Sequence, residues 1–147
     1  MFKIFKKKYL HDKDRISIAL LCIDYRFWPD TLPKLKKRYG AFDLIEIAGA
    51  SKNLISPQEK EDKEALLDNI EISIRLHNPE RIILTNHTDC GAYGGSNKFA
   101  SHRQEIAFHR KELQKAKQVI KNKFKKLKVD TIIIDKNKWD KILLIKI

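Results

Sequence analysis

The sequence predicts an α/β protein: a three-layer, mostly parallel β-sheet flanked by helices, with an antiparallel C-terminal edge strand. Three observations predict it. Short apolar runs rich in β-branched residues recur at ISIALLC (16–22), FDLIEIAG (42–49), RIILTNH (81–87) and TIIID (131–135), the composition that strands buried on both faces of a parallel sheet require. Segments with helical spacing or helix-end signals separate these runs, as parallel crossovers demand. The last two runs, TIIID and KILLIKI (141–147), are parted only by the polar KNKWD, too short for a crossover and therefore a turn between antiparallel neighbours.

Taken in order, residues 1–15 mix Phe2, Ile4, Phe5 and Tyr9 with basic side chains and read as an N-terminal arm that packs through its apolar side. After the first strand, Thr31 to Tyr39 is short, basic and followed by Gly40, which suits a brief helix with glycine at its C-terminal cap. The second strand follows at 42–49. SPQE at 56–59 then offers Ser56 as N-cap, Pro57 at the first helical position and Glu59 to close a capping box. Leu66, Leu67, Ile70 and Ile74 form one stripe of that helix at spacings of three and four, and Asn78-Pro79 ends it. The third strand runs into His87, and CGAYGGSN is too rich in glycine for regular structure. From about Phe99 to Lys128 a helical pattern places Ile106, Leu113, Ile120, Phe124 and Leu127 toward the core, with His102 and His109 among the basic residues of a solvated face. No repeat and no Pro/Gly/Ser-rich linker divides the chain, so 1–147 is expected to be a single domain.

Charge bounds the partners. With 31 Lys and Arg against 19 Asp and Glu the formal net charge is +12, which attracts anions of any kind. The basic stretch HRKELQKAKQVIKNKFKKLK (109–128) carries no recognised nucleic-acid motif, so it reads as a solvated face and nucleic acid is disfavoured as a partner. No apolar run reaches the ~18 residues that span a bilayer, and the MFKIFKKKYL start lacks the apolar stretch of a signal peptide. A cytoplasmic protein without membrane partners is expected. Trp28, Trp139 and Tyr93 read as ordinary packed aromatics.

Ligands of parallel α/β sheets gather beyond the carboxyl ends of the strands, where neighbouring connections leave in opposite directions. Cys22 ends the first strand and His87 the third, and Cys90 follows His87 by three residues before Gly91. Taken singly, each is as well explained by core packing. Taken together, Cys22, His87 and Cys90 are a soft donor set suited to Zn²⁺, and three ligands leave a fourth position open, as in catalytic zinc sites. Asp24 and Arg26 share the side of Cys22 if the chain stays extended. A carboxylate held by an adjacent guanidinium stays ionised and becomes a fixed hydrogen-bond acceptor, whereas the same pair on an open surface is worth little.

CIDYR (22–26) followed by HTDCGA (87–92) resembles the β-class carbonic anhydrases, in a small and divergent form. The resemblance extends over roughly 16–147 and includes Ala48-Gly49 after the second strand. It implies Cys22, His87 and Cys90 as zinc ligands, Asp24 and Arg26 as the catalytic dyad, and reversible hydration of CO₂ to bicarbonate by a zinc-bound hydroxide. It also implies a homodimer or higher homo-oligomer. The sequence departs from the family at Glu46 and Ile47, where Arg-Asn is usual, and at Asn86, where glycine is usual. Two other functions stay open: a zinc hydrolase acting on a related electrophile such as COS or CS₂, and a non-catalytic zinc-binding protein.

Overall fold

The computed structural model describes residues 16–147; the N-terminal arm expected over 1–15 lies outside the described residues. Five strands form one sheet in the order β2-β1-β3-β4-β5, comprising β1 (Ser17–Leu21), β2 (Phe42–Glu46), β3 (Arg81–His87), β4 (Lys128–Lys136) and β5 (Ile142–Lys146). The first four are parallel and β5 runs antiparallel to β4, as the apolar runs and the short KNKWD connection predict. Connections from β1 leave for β2 on one side, and the chain then returns to β3 on the other. The switch point therefore lies between β1 and β3, where Cys22 and His87 sit.

Alternation along the strands builds two cores. Ile18, Leu20, Ile82, Leu84 and Ile133 face one side and pack against Leu54, Leu66, Ile70, Leu113, Ala116 and Ile120. These come from α2 (Lys52–Ile55), α3 (Lys60–His77) and α4 (His102–Lys123). Ala19, Leu21, Ile83, Ile132 and Ile134 face the other side, under Leu35 and Leu32 of α1 (Trp28–Tyr39). Fully burying one such aliphatic side chain is worth about 1.5–3 kcal/mol, so the two layers of side chains fix the sheet and hence the position of its carboxyl ends.

The ends of three helices differ from the sequence reading. Helix α1 begins at Trp28, not Thr31, because Pro29 occupies its first turn, where a missing N–H costs nothing; Gly40 closes it with φ 76°, as expected. Ser56 is not the N-cap of the next long helix. It ends α2, its N–H donating to the Lys52 carbonyl, and the capping box is formed three residues later by Glu59 and Asp62. Both patterns satisfy the same chemistry, and the short helix ahead of them decides between them.

The long helix is shorter than 99–128, running from Ser101, whose side chain accepts from the Gln104 N–H, to the cap at Phe124. Leu113, Ile120 and Leu127 are buried, and Ile106 and Phe124 pack partly against the same core, as the spacing predicts. One expectation fails: His109 is 0% exposed, not on the solvated face. The loop between β3 and α4 folds back over this part of the helix, so Tyr93 and Phe99 stand against the His109 ring.

Candidate metal centre

Three elements deliver the donors. β1 ends at Leu21, placing Cys22 just past its carboxyl end; β3 ends on His87 itself; and Cys90 follows in the turn that precedes a single 3₁₀ turn at Gly91–Tyr93. All three residues are buried, and their ligand atoms lie within 4.8 Å of one another. The sharp turn that sequence spacing demanded is made at Asp89, which adopts φ 55°.

The donor chemistry fits a metal ion. His87 Nδ1 stands 2.7 Å from the Thr88 carbonyl; a carbonyl only accepts, so Nδ1 carries the proton and Nε2 presents its lone pair. That Nε2 is buried without a hydrogen-bond partner, as a ligand nitrogen should be, and the Phe27 ring packs on the imidazole at 4.2 Å between centroids. Cys22 Sγ accepts the Gly49 N–H at 3.3 Å. The Cys22 thiol is drawn down to about 4, chiefly by a hydrogen bond from Cys90 and further by the Gly49 N–H, against the opposing effect of burial. Cys90 is pushed up as the partner that keeps the proton. Two buried thiols sharing one proton beside an unprotonated imidazole nitrogen form a site poised to exchange that proton for a cation.

Gly49 is required there. A Cβ on it would lie 2.9 Å from the Ala92 side chain, and its φ is 79°, a region that disfavours other residues. Without a side chain, its amide approaches the Cys22 sulfur directly.

Asp24 and Arg26 come to the same place. Arg26 donates to Asp24 through Nη2 at 2.6 Å, through Nε at 3.0 and 3.2 Å, and through its backbone N–H at 3.0 Å. This grip holds the Asp24 carboxyl below the usual carboxylate range, the Arg26 side chain being the largest cause. Asp24 Oδ2 lies 3.8 Å from His87 Nε2, on the edge of the donor set. An open cleft of about 410 Å³ exposes the group, lined by Cys22, Asp24, Arg26, Ala48, Cys90 and Ala92 among others. Ile23 and Tyr25, at 56% and 78% exposure, stand at its rim. A slightly larger hollow of about 490 Å³ lies at the opposite end of the sheet, among Ile74, Pro79, Phe124 and Leu127. It contains none of the sulfur or imidazole donors, so the smaller cleft carries the chemistry.

Two residues that the sequence reading passed over, Asp89 and Glu105, complete the site. Asp89 reaches Arg26 from the far side, its Oδ2 accepting from Nη1 at 2.7 Å. Glu105, 2% exposed, accepts the Asp89 N–H at 2.6 Å and the Ser96 hydroxyl at 2.7 Å. Asn86 is buried and donates to the Tyr93 hydroxyl at 3.2 Å, which ties the end of β3 to the glycine-rich loop. His102 is exposed and bonds Asp135 at 3.0 Å. Of the three aromatics read as packed, Tyr93 is buried, Trp28 packs partly against the α1-side core, and Trp139 is 68% exposed.

Comparison with known proteins agrees with this geometry. Residues 12–143 match a family model described as "Putative carbonic anhydrase". An uncharacterized protein of Rickettsia bellii is 33% identical over 135 residues, covering 87% of this chain and 82% of that protein. One of Rickettsia conorii is 35% identical over 124 residues, covering 80% of this chain and 66% of its own length. Among solved structures, carbonic anhydrase from Streptococcus mutans superposes with a TM-score of 0.57 at 17% identity, covering 90% of this chain and 81% of that one. One of two tetrameric β-carbonic anhydrases from Sordaria macrospora gives 0.58 at 14% identity, over 90% and 80%. At such identities these two neighbours establish the fold. Among the described residues no helix is long and apolar enough to cross a membrane.

Proposed function

Since the chain belongs to the carbonic anhydrase family whose model spans residues 12–143, we propose that it catalyses the zinc-dependent, reversible hydration of CO₂ to bicarbonate. The observation that carries this reading is the His87 Nε2 lone pair, buried and unpartnered, beside two sulfur atoms and an arginine-held carboxylate. Cys22, His87 and Cys90 would hold the metal. Zinc, when bound, supplies a Lewis acid that brings the pKa of a water from 15.7 to about 7.

The chain's own residues do the rest. The Thr88 carbonyl fixes the His87 tautomer, and the Gly49 N–H stabilises the Cys22 thiolate. Asp24, kept ionised by Arg26, can only accept, so it orients the proton of a water in the cleft and thereby the lone pair that faces the substrate. Ala48, Ala92 and the rim residue Ile23 offer an apolar wall to CO₂, which has no strong hydrogen-bonding group. One CO₂ and one water give bicarbonate and a proton, and the proton leaves through the open cleft to solvent.

The same apolar wall accepts COS or CS₂, which makes those the competing substrates. Exposed Ile23 and Tyr25 at the rim support assembly with further copies of the chain, as in the tetrameric Sordaria macrospora enzymes. Two thiols at the site fit a reducing compartment, the cytoplasm. The test is metal analysis together with stopped-flow CO₂ hydration on zinc-replete protein. About one zinc per chain with turnover above buffer is expected; zinc without CO₂ turnover but with COS or CS₂ hydrolysis selects the alternative, and no zinc at all overturns the reading.

A further inference from the structure

Arg26 does not serve Asp24 alone. Its Nη1 donates to Asp89 Oδ2 at 2.7 Å and its Nη2 to the Asp89 carbonyl at 3.0 Å, so its donors are divided between two residues. Its pairing with Asp24, two residues away, is local, and its side chain is 37% exposed. A long side chain held only from one end keeps much of its rotamer freedom, whereas a planar fork held from both ends has one orientation left.

The far anchor is itself built. Asp89 has φ 55°, in the left-handed region that costs a non-glycine residue energy and is kept only where the surroundings impose it. Here they do. The buried Glu105 takes the Asp89 N–H, and the Ser96 N–H donates to Asp89 Oδ1 at 2.9 Å. Gly95 leaves the room, since a Cβ there would lie 3.2 Å from Asp89 Oδ1. The α4 carboxylate, the loop and the strained residue thus converge on one guanidinium.

We propose that Asp89 is a positioning residue: it fixes Arg26 on Asp24 and thereby keeps the Asp24 carboxylate turned away from the metal. The second half of this statement rests on the proposed function; the first half does not. Asp24 Oδ2 is already 3.8 Å from His87 Nε2, so a carboxylate released by Arg26 has the metal as its nearest alternative cation. An Asp24 that turns onto the metal occupies the position an incoming anion or water needs.

Asp89→Asn tests it. Asparagine tolerates the left-handed conformation and keeps an acceptor for Ser96, and Asp89→Gly serves as the second variant should asparagine disturb folding. In the full-length protein without added metal, hydrogen exchange at Arg26 Nε–H, followed by ¹⁵N NMR, is expected to accelerate about tenfold or more in the variant, the loss of one charge-assisted anchor. In zinc-loaded protein, azide affinity is expected to fall by a similar factor of about ten, with the Tm unchanged within a few degrees. Unchanged Arg26 exchange overturns the proposal. Faster exchange with unchanged azide affinity overturns its extension to the metal. Should the wild-type protein take up no zinc, the functional reading fails, while Arg26 exchange still decides whether Asp89 positions Arg26.

Discussion

Each end of the sheet holds an arginine between acidic residues, and only one end is a candidate site. At the carboxyl end Arg26 bridges Asp24 and Asp89. At the amino end Arg81 bridges Glu80 at 2.8 Å and Asp130 at 2.9 Å, with Lys146 on Asp130 at 3.3 Å and the Tyr39 ring beneath the guanidinium. Pairing geometry is nearly the same at both ends. The difference lies in the neighbours: at one end an unpartnered imidazole nitrogen and two thiols in an open cleft, at the other a lysine and a phenol. An arginine shared by two carboxylates is therefore not itself a sign of catalysis; it becomes one where it positions a carboxylate against something reactive.

The strongest way to break that comparison is to remove the reactive neighbours. Cys90→Ser leaves Arg26, Asp24 and Asp89 in place but withdraws one of the three candidate metal donors. Zinc affinity should fall by at least about 1,000-fold, given the ~10–16 kcal/mol that zinc sites share among their ligands. Competitive chelator titration measures this. Arg81→Met should leave zinc affinity within about twofold, because that variant touches the end without donors. Equal losses from the two variants would mean that the two ends are not independent.

Acid separates the ends next. His109, beneath the loop at the carboxyl end, is held at about 4 instead of 6.5, chiefly by burial, while Glu105 and Glu112 pull the other way. Its folded pKa lies below the unfolded value, so the unfolded chain binds the proton more tightly. The stability it contributes is complete above pH 6.5 and is lost as pH falls toward about 4, up to ~3 kcal/mol in all. At the amino end burial raises the Asp130 carboxyl, but its Lys146 and Arg81 partners together outweigh it and leave it lowered, so its share is lost only below the ordinary carboxylate value of 3.8. Urea unfolding between pH 7 and 4 should therefore show a decline that His109→Phe removes and Asp130→Asn does not.

That same histidine marks where the sequence ceased to be legible. The sheet could be read because burial on both faces leaves unbroken apolar runs, and Cys22 and His87 because strand ends are where such sheets place ligands. His109 could not be read. A helix in a basic stretch looks solvated until one knows that the loop carrying Tyr93 covers it. Asp89 was hidden for another reason: its contact with Arg26 spans 63 residues and depends on a left-handed backbone that no spacing announces. Ser56 misled because SPQE meets the rule for a helix start, and only the short helix ending at Ile55 gives that serine another use.

Removing each arginine in turn sharpens the comparison at intermediate size. Arg81→Met withdraws the guanidinium from Asp130, which keeps Lys146, and should cost about 1–2 kcal/mol of stability, with CO₂ turnover within about twofold of wild type. Arg26→Met, at a more exposed position, should cost under ~1 kcal/mol. Yet, on the proposed function, it should lower kcat/KM by about tenfold or more, since Asp24 would lose the partner that keeps it off the metal. Thermal unfolding and stopped-flow assays on both variants give the two columns of this exchange. An Arg26 variant that is unstable but active would reverse the assignment of the two ends.

The smallest effect belongs to Lys146, and it tests whether the amino-end cluster is a network or a set of separate pairs. Lys146 Nζ reaches Asp130 Oδ1 while Arg81 takes Oδ2, so both cations share one carboxylate. As an isolated, half-exposed pair the lysine is worth well under ~1 kcal/mol, and 0.5 M NaCl should erase it. In a network, removing Lys146 lets the Arg81–Asp130 bond strengthen, so the cost of Arg81→Met grows once Lys146 is gone. A double-mutant cycle over Lys146→Met and Arg81→Met reads that coupling directly, with ~0.5 kcal/mol or more indicating a shared carboxylate.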